Sequence, residues 1–149
     1  VTHDGPTAII LSRQNVASLT DGSAVIDGAS IIRSVDKPAA VIVATGSELG
    51  VAVDAAVELA KDNIAVNVVS MPSWERFASL GASHRQSILP THLPRISVEA
   101  GSTFGWAAIA THSVGIDRFG ASAPGNVVME KLGINAANVA ATVKVALAQ

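Results

Sequence analysis

Residues 39–71, with the sequence AAVIVATGSELGVAVDAAVELAKDNIAVNVVSM, decide the fold of this chain. Residues 39–45 form a continuous apolar run of strand length, which is typical of a strand covered on both faces. Residues 66–71 have the same character and are followed by Pro72. An amphipathic stretch of helical period lies between the two runs. The sequence therefore predicts a strand–helix–strand unit with parallel strands and a right-handed crossover.

The start and the faces of this helix can be predicted as well. Thr45 and Glu48 are spaced as T-x-x-E, the capping-box pattern that satisfies backbone donors at a helix start. The residues Asp62 and Asn63 are expected to end the helix. Its predicted buried face carries Leu49, Val53, Ala56, Val57 and Ala60, and its polar face carries Asp54, Glu58 and Lys61.

The rest of the chain adds further elements of both kinds. Strands are predicted at residues 7–11, 30–34 and 95–99, with a short edge strand at 115–119. A short helix is predicted at 83–89, before Pro90. Asn135 is a good N-cap for a final helix whose apolar face would carry Val139, Val143, Ala146 and Leu147. Alternating elements of this kind predict a three-layer α/β/α sandwich with a mostly parallel sheet of about five strands.

Composition excludes several classes of function. The chain has 149 residues, of which 49% are hydrophobic and 15% charged, so a packed core is expected. A net charge of -2 gives no electrostatic reason to expect nucleic acid as a partner. No apolar run is long enough to predict a membrane span. Without cysteine, neither a disulfide framework nor a thiolate metal site can form.

Five segments of the chain resemble one enzyme family, in the same order along the sequence. They are LSRQN at 11–15, VATGSE at 43–48, VSMPS at 69–73, SVEAG at 97–101 and GIDRFGASAPG at 115–125. Together they resemble the last third of transketolases and cover nearly the whole chain. The last motif is long enough to be specific. It argues against related thiamine enzymes such as deoxyxylulose-phosphate synthases or dehydrogenase β subunits.

The resemblance implies a place for this chain within a larger enzyme. Residues 23–149 would be a transketolase C-terminal domain, and residues 1–22 the tail of the preceding pyrimidine-binding domain plus a linker. Transketolases transfer a two-carbon ketol unit between sugar phosphates, using thiamine diphosphate and a divalent cation, Mg²⁺ or Ca²⁺. The implied partners are the remaining transketolase domains, the second subunit of a homodimer and the sugar phosphate. The implied compartment is the cytoplasm, and no membrane partner is expected.

Arg13 is the candidate substrate-binding residue. It follows a predicted strand and lies beside Gln14 and Asn15, and its guanidinium can hold a phosphate through two parallel hydrogen bonds. A lone arginine at a strand end is, on the residues alone, usually a surface residue. The resemblance favours a binding role for Arg13 instead, because the arginine of the matching S-R-Q-N motif in transketolases contacts the phosphate of the sugar-phosphate substrate. No catalytic, cofactor-binding or metal-binding residue is predicted.

The family's cofactor motifs are missing from this sequence. Transketolases bind thiamine diphosphate through a G-D-G motif with a downstream asparagine, and use a glutamate that faces the aminopyrimidine ring. Neither segment occurs among the 149 residues. Since the cofactor supplies the chemistry and the protein must position it, we expect the isolated chain to bind neither cofactor nor metal and to be inactive.

Other candidate sites have structural explanations that are favoured over functional ones. The turn 45–48 offers free backbone N–H groups at a helix start, a possible anion site, but a tight turn with a helix cap suffices to explain it. Residues 120–124, GASAP, narrowly miss the nucleophile-elbow pattern G-x-S-x-G and are interpreted as a loop. Glu99 ends a strand at the carboxyl edge, where ordering the loop at Gly101 and catalysis both remain open. The four histidines lack zinc-site spacing and are expected at the surface or in loops.

Two alternatives from other functional classes remain. One is a freestanding flavodoxin-like module that binds small anions, which rests on the strand–helix–strand unit and its turn. The other is a purely structural or interaction domain, in which Arg13 has no role in binding.

Overall fold

The structure, a computed structural model, describes residues 4–149. His3 therefore lies outside the described residues. Five strands form one sheet in the order β1-β3-β2-β4-β5. The β2–β3, β2–β4 and β4–β5 pairs are parallel, and β1 runs antiparallel to β3 at one edge. The strands are β1 Ser30–Arg33, β2 Ala40–Ala44, β3 Val66–Ser70, β4 Arg95–Val98 and β5 His112–Val114.

Helices cover both faces of this sheet. Within the described chain they are α1 Ala24–Asp27, α2 Leu49–Lys61, α3 Trp74–Ser79, α4 Ala82–Ile88, α5 Gly125–Lys131 and α6 Ala136–Leu147. Residues of α2 and α6 pack in one core cluster with one face of the sheet. Residues of α3, α4 and the 3-10 turn Trp106–Ala108 pack in a second cluster with the other face. The predicted three-layer sandwich with a mostly parallel five-stranded sheet is confirmed.

The two central strands are buried on both sides, as their uninterrupted apolar sequence predicts. Every residue of β2 has no exposed surface. Since side chains alternate between the faces of a strand, Ile42 and Val68 join the cluster under α2 and α6. Val43 and Val69 join the cluster on the opposite face. Ile42 and Val68 are partners in the parallel ladder between β2 and β3, which confirms the predicted strand–helix–strand unit.

The predicted capping box at the start of α2 is wrong. Thr45 makes no side-chain capping hydrogen bond, and a 3-10 turn, Gly46–Glu48, leads into the helix. The carboxylate of Glu48 binds instead to the backbone of Ala100, on the loop after β4. A long-range partner has thus replaced the local one that the spacing indicated.

The buried face of α2 differs in part from the predicted one. Its buried residues are Leu49, Ala52, Ala55, Ala56 and Leu59, whereas Val57 is 46% exposed. The helix is apolar around much of its circumference, so the sequence period alone leaves its orientation ambiguous. The small alanine side chains let the helix axis lie close to the sheet and to α6, and this close packing decides which face is buried.

Residues 7–11 do not form the predicted strand. They are coil, and Ile9, Ile10 and Leu11 are 73%, 94% and 82% exposed. A strand needs a neighbour to pair its backbone N–H and C=O groups, and in the described residues no strand pairs with this run. The strand that precedes Arg13 in the sequence prediction is therefore absent from this structure.

The edge strand next to β4 lies earlier than predicted, at His112–Val114 rather than at residues 115–119. The backbone N–H of Ile116 donates to Gly101 O at 2.6 Å, so the chain turns away from the ladder there. A Cβ on Gly115 would lie 2.7 Å from Thr103 Cγ2. This close approach to the neighbouring loop requires glycine and ends the strand.

The carboxyl-terminal helix agrees with the prediction at its start. Asn135 Oδ1 accepts a hydrogen bond from the backbone N–H of Asn138 at 2.8 Å, the N-cap interaction. The buried face consists of Val139, Ala140, Val143 and Ala146, whereas the predicted Leu147 is 39% exposed. Among residues 4–149, no helix combines the length and apolar character needed to cross a membrane.

Candidate functional site

The carboxyl edge of the sheet is where an α/β fold places its ligands. The chain leaves β2 through α2 toward β3 on one side, and leaves β4 toward β5 on the other. The connections therefore diverge between β2 and β4, and the crevice at such a switch point is the usual ligand site. The residues that follow these two strands, Glu48 and Glu99, define the candidate site.

Glu48 closes this crevice. Its side chain lies in the interior, with 6% of its surface exposed. Glu48 Oε2 accepts from the backbone N–H of Ala100 at 3.1 Å, and Oε1 accepts from the Ser47 hydroxyl at 2.6 Å. The protein's own carboxylate thus occupies a backbone donor at the switch point. The geometry does not favour a nucleotide or other flavodoxin-type ligand in the crevice.

Glu99 orders the loop that follows β4. Its Oε2 accepts from the indole Nε1 of Trp106 at 2.7 Å, and Trp106 is only 1% exposed. Trp106 makes an edge-to-face contact with Trp74, with 4.7 Å between ring centroids. A Cβ on Gly101 would lie 3.5 Å from the Glu99 side chain. Of the two roles left open for Glu99, the contacts therefore favour ordering of the Gly101 loop.

Asp117 joins the loop after β5 to the loop after β4. Its Oδ1 accepts from the Thr103 backbone N–H at 2.8 Å and from the Ser102 hydroxyl at 3.0 Å. Its Oδ2 accepts from the Thr103 hydroxyl at 2.7 Å. These donors stabilise the charged form, and the Thr103 hydroxyl first of all holds the pKa of Asp117 below its ordinary value. The long motif at 115–125 is thus held by its own aspartate.

Arg13 is exposed and lies in coil. Its neighbour Gln14 is near the start of α5, because a Cβ on Gly125 would lie 3.7 Å from Gln14 Nε2. The structure therefore brings the segment around Arg13 to the end of the 115–125 motif, although about a hundred residues separate them in sequence. The exposed guanidinium can reach a ligand in solvent, which is the requirement for phosphate binding.

The remaining candidates show loop or surface geometry. Ser122 lies in an exposed loop, as predicted for the segment 120–124. His84 Nε2 lies 3.4 Å from Asp27 Oδ2, with both side chains partly exposed. In residues 4–149, no three His, Cys, Asp or Glu side chains are grouped so as to hold a metal ion.

Sequence reasoning missed the contacts that build this edge. It predicted a local partner for Glu48, and it assigned no role to Trp106 or Asp117. Glu48 and Asp117 bind residues of another loop. Trp106 contacts Trp74 of α3 and Glu99 seven residues before it, so no short motif contains the signal. The only sequence indication was that Glu48 and Glu99 each follow an apolar run of strand length.

Comparison with known proteins gives one consistent family. Residues 28–135 match the family described as the transketolase-like TK C-terminal domain. A plasmid-encoded transketolase of Cupriavidus necator is 42% identical over 97% of this chain and 22% of its own length. The structure of transketolase from Leishmania mexicana superposes with a TM-score of 0.87 at 40% identity, covering 91% of this chain and 20% of that one.

A second solved structure is a complex with a phosphorylated sugar. It is a transketolase from Pichia stipitis in complex with sedoheptulose 7-phosphate, with a TM-score of 0.79 and 34% identity, covering 82% of this chain and 18% of that one. The present chain spans about a fifth of the length of the relatives it matches, since the first two are covered to 22% and 23%.

Proposed function

The chain belongs to the transketolase-like C-terminal domain family, and from this premise we propose that it is the C-terminal part of a transketolase. The complete enzyme would transfer a two-carbon ketol unit between sugar phosphates. The observation that carries the proposal is the 42% identity to a transketolase over 97% of this chain. The carboxylates of Glu48 and Asp117 bind groups of this chain at one edge of the sheet, which suits a structural role for this domain rather than a catalytic one.

The domain boundary is proposed between residues 22 and 23. The family match begins at residue 28, and α1 begins at Ala24. Residues 4–22 are exposed and contain no helix or strand. Their apolar residues Ile9, Ile10 and Leu11 belong to neither core cluster. Apolar side chains in such a row suit contact with another domain, which supports the proposal that this segment is the tail of the preceding pyrimidine-binding domain.

Arg13 is proposed to bind the substrate phosphate. Its exposed guanidinium, and the position of Gln14 beside Gly125, support a ligand-facing role at the border of the two domains. The Pichia stipitis relative is described in complex with a phosphorylated sugar. Arg13 would hold the phosphate by a charge-assisted, two-point interaction that persists through the reaction, so its contribution would be to binding.

The chain's own residues do not fit thiamine diphosphate or its cation. A divalent cation of this kind needs several oxygen ligands at one place. The described residues offer no group of three candidate ligands, and the carboxylates of Glu48 and Glu99 are already engaged by Ala100 and Trp106. We therefore assign the cofactor and the Mg²⁺ or Ca²⁺ to the other domains of the parent, and derive no catalytic step from this chain.

The remaining domains and a second subunit are the proposed partners. Phe104 and Phe119 are 90% and 96% exposed on the two loops that Asp117 joins. Exposed aromatic side chains of this kind are enriched at interfaces, which supports burial of these loops in a homodimeric parent. The cytoplasm is the proposed compartment, and fractionation of source cells would test it.

The proposal is tested by assaying the longer protein that contains this sequence. With thiamine diphosphate and Mg²⁺, it is expected to transfer a ketol unit from a phosphorylated ketose to a phosphorylated aldose. The 149-residue chain under the same conditions is expected to show no turnover and no heat of thiamine diphosphate binding by calorimetry. Ketol transfer by the short chain, or none by the long protein, would overturn the proposal.

A further inference from the structure

We propose that the cleft between the start of α2 and residues 16–20 binds a small oxyanion, such as inorganic phosphate or a phosphate monoester. The cleft has a volume of about 370 Å³ and is bordered by Gly46, Ser47, Gly50 and Ser70. Residues 16–20 form its opposite wall. This site is distinct from Arg13 and does not depend on the proposed ketol transfer.

The first observation is the direction of the backbone donors. The 3-10 turn Gly46–Glu48 continues directly into α2, which extends to Lys61. The first N–H groups of a helix have no partner within it, and the helix dipole places partial positive charge there. Gly46 and Ser47 provide these first groups and border the cleft. This end of the cleft therefore offers backbone hydrogen-bond donors to an anion.

The second observation is the hydroxyl of Ser70, a buried residue that does not belong to the helix. Ser70 ends β3 and is 8% exposed. Val66 and Val68 face α2, so Ser70, two residues further on, points to the same side. Its ladder partner is Ala44, directly before the turn, which aims the hydroxyl at the start of the helix. Ser70 Oγ makes no hydrogen bond with any residue in the range 4–149.

A second hydroxyl lies beside the first. Ser30 is the partner of Ser70 in the antiparallel ladder, so the two side chains share a face of the sheet. Ser30 Oγ is buried and has no hydrogen-bond partner in the described chain. It borders an adjoining cleft that shares Leu19 and Thr20 with the first. Because this oxygen has almost no accessible surface, a ligand in the cleft can reach the hydroxyl of Ser70 but not that of Ser30.

The charges around the cleft set the expected affinity. Neither cleft has a lysine or arginine among its described lining residues, so binding rests on amide and hydroxyl donors. The Glu48 carboxylate is occupied by Ser47 and Ala100, and Asp21 by the Ser23 backbone N–H. Because donors without a full positive charge hold anions weakly, we expect a dissociation constant in the millimolar range, on the order of 1 mM.

The experiment is a titration of the 149-residue chain with inorganic phosphate, followed by ¹H–¹⁵N NMR at constant ionic strength. The amide signals of Gly46 and Ser47 are expected to shift in a saturable manner. Gly50→Asp places a carboxylate in the cleft, where a Cβ would meet nothing within 4 Å. This variant is expected to raise the dissociation constant at least tenfold while remaining folded, because Asp is favoured in a first helical turn.

Matched variants separate the site from general charge effects. Gly81→Asp adds the same charge before α4, also in open space, and should leave the dissociation constant unchanged. Ser70→Ala should raise it about threefold to tenfold. Ser30→Ala removes a neighbouring hydroxyl that a ligand cannot reach and should change it by less than about twofold. Shifts that do not saturate, shifts confined to residues around Arg13, or equal affinity in Gly50→Asp and Gly81→Asp would each overturn the proposal.

Discussion

The buried carboxylate of Glu48 accepts a hydrogen bond from the backbone N–H of Ala100 at 3.1 Å, across 52 positions of the sequence. This contact joins the turn after β2 to the loop after β4. A ligand at the switch point would need the same backbone donor. Because Glu48 already occupies it, the crevice connects two loops of the chain instead of holding a ligand. The motifs at 43–48 and 97–101, separate in the sequence, meet at this bond.

Glu48→Ala is expected to destabilise the chain by about 1–3 kcal/mol, since it removes a buried carboxylate together with its charge-assisted hydrogen bond to the Ala100 N–H. The measurement is the free energy of unfolding from urea titration. Asp54→Ala on the exposed side of the same helix is the control and should change this value by less than about 0.5 kcal/mol. Equal effects of the two variants would show that the bond between Glu48 and Ala100 contributes nothing specific.

Because of Asp117, the free energy of unfolding should depend on pH in the acid range. Its donors, the Thr103 hydroxyl foremost, lower its pKa in the folded state below the ordinary 3.8. A carboxyl group with a depressed pKa contributes stability that is fully present above the unfolded-state pKa and is lost as the pH falls through the folded-state pKa. The stability difference between the wild type and Asp117→Asn should therefore be constant near neutral pH and shrink below about pH 3.8.

Thr103→Val tests whether the Thr103 hydroxyl lowers the pKa of Asp117. It removes the hydroxyl donor while keeping the backbone N–H, so the folded-state pKa of Asp117 is lowered less. The loss of stability on acidification should therefore be smaller than in the wild type and be complete at a higher pH. Unfolding free energies at a series of pH values for the three proteins give the answer. A wild-type curve parallel to that of Asp117→Asn throughout the acid range would contradict this account of Asp117.

Gly28 is required by close packing, whereas Gly22 is required by backbone conformation alone. Both have positive φ, +79° and +87°. A Cβ on Gly28 would lie 2.4 Å from Phe77 N and from Ser73 O, but one on Gly22 would meet nothing within 4 Å. Gly22→Ala should cost about 1–3 kcal/mol from backbone strain, and Gly28→Ala clearly more. Thermal unfolding would measure both, and similar losses would contradict the packing argument.

The sequence was most informative about the centre of the sheet. The apolar runs that became β2 and β3 are buried on both faces, so length and composition sufficed to predict them. The cap at Asn135 was predictable because its partner, Asn138, is three residues away. Interactions that lie within one turn of helix or one strand leave a signal in the sequence.

The rest depended on partners that lie far away in sequence. Residues 7–11 have strand composition, but composition does not supply a neighbouring strand. The spacing of Thr45 and Glu48 fitted a capping box, yet Glu48 binds Ala100. Helices α1, α3 and α5 have 4, 6 and 7 residues, too few to show a helical period, and they were not predicted. The equally short α4 was predicted because Pro90 marks its end. The loop held by Asp117 could not be predicted either, because the groups that donate hydrogen bonds to Asp117 lie on another loop.

The measurement that tests the central claim most directly is the steady-state kinetics of Arg13→Ala in the longer protein that we propose. With a phosphorylated ketose donor, KM should rise about tenfold or more with kcat little changed, because binding common to ground and transition states is lost. With a donor that lacks phosphate, KM should not change. Arg13→Lys should give an intermediate value, and Lys61→Ala, a loss of charge on α2, none. An Arg13→Ala protein with unchanged KM for the phosphorylated donor would contradict the account.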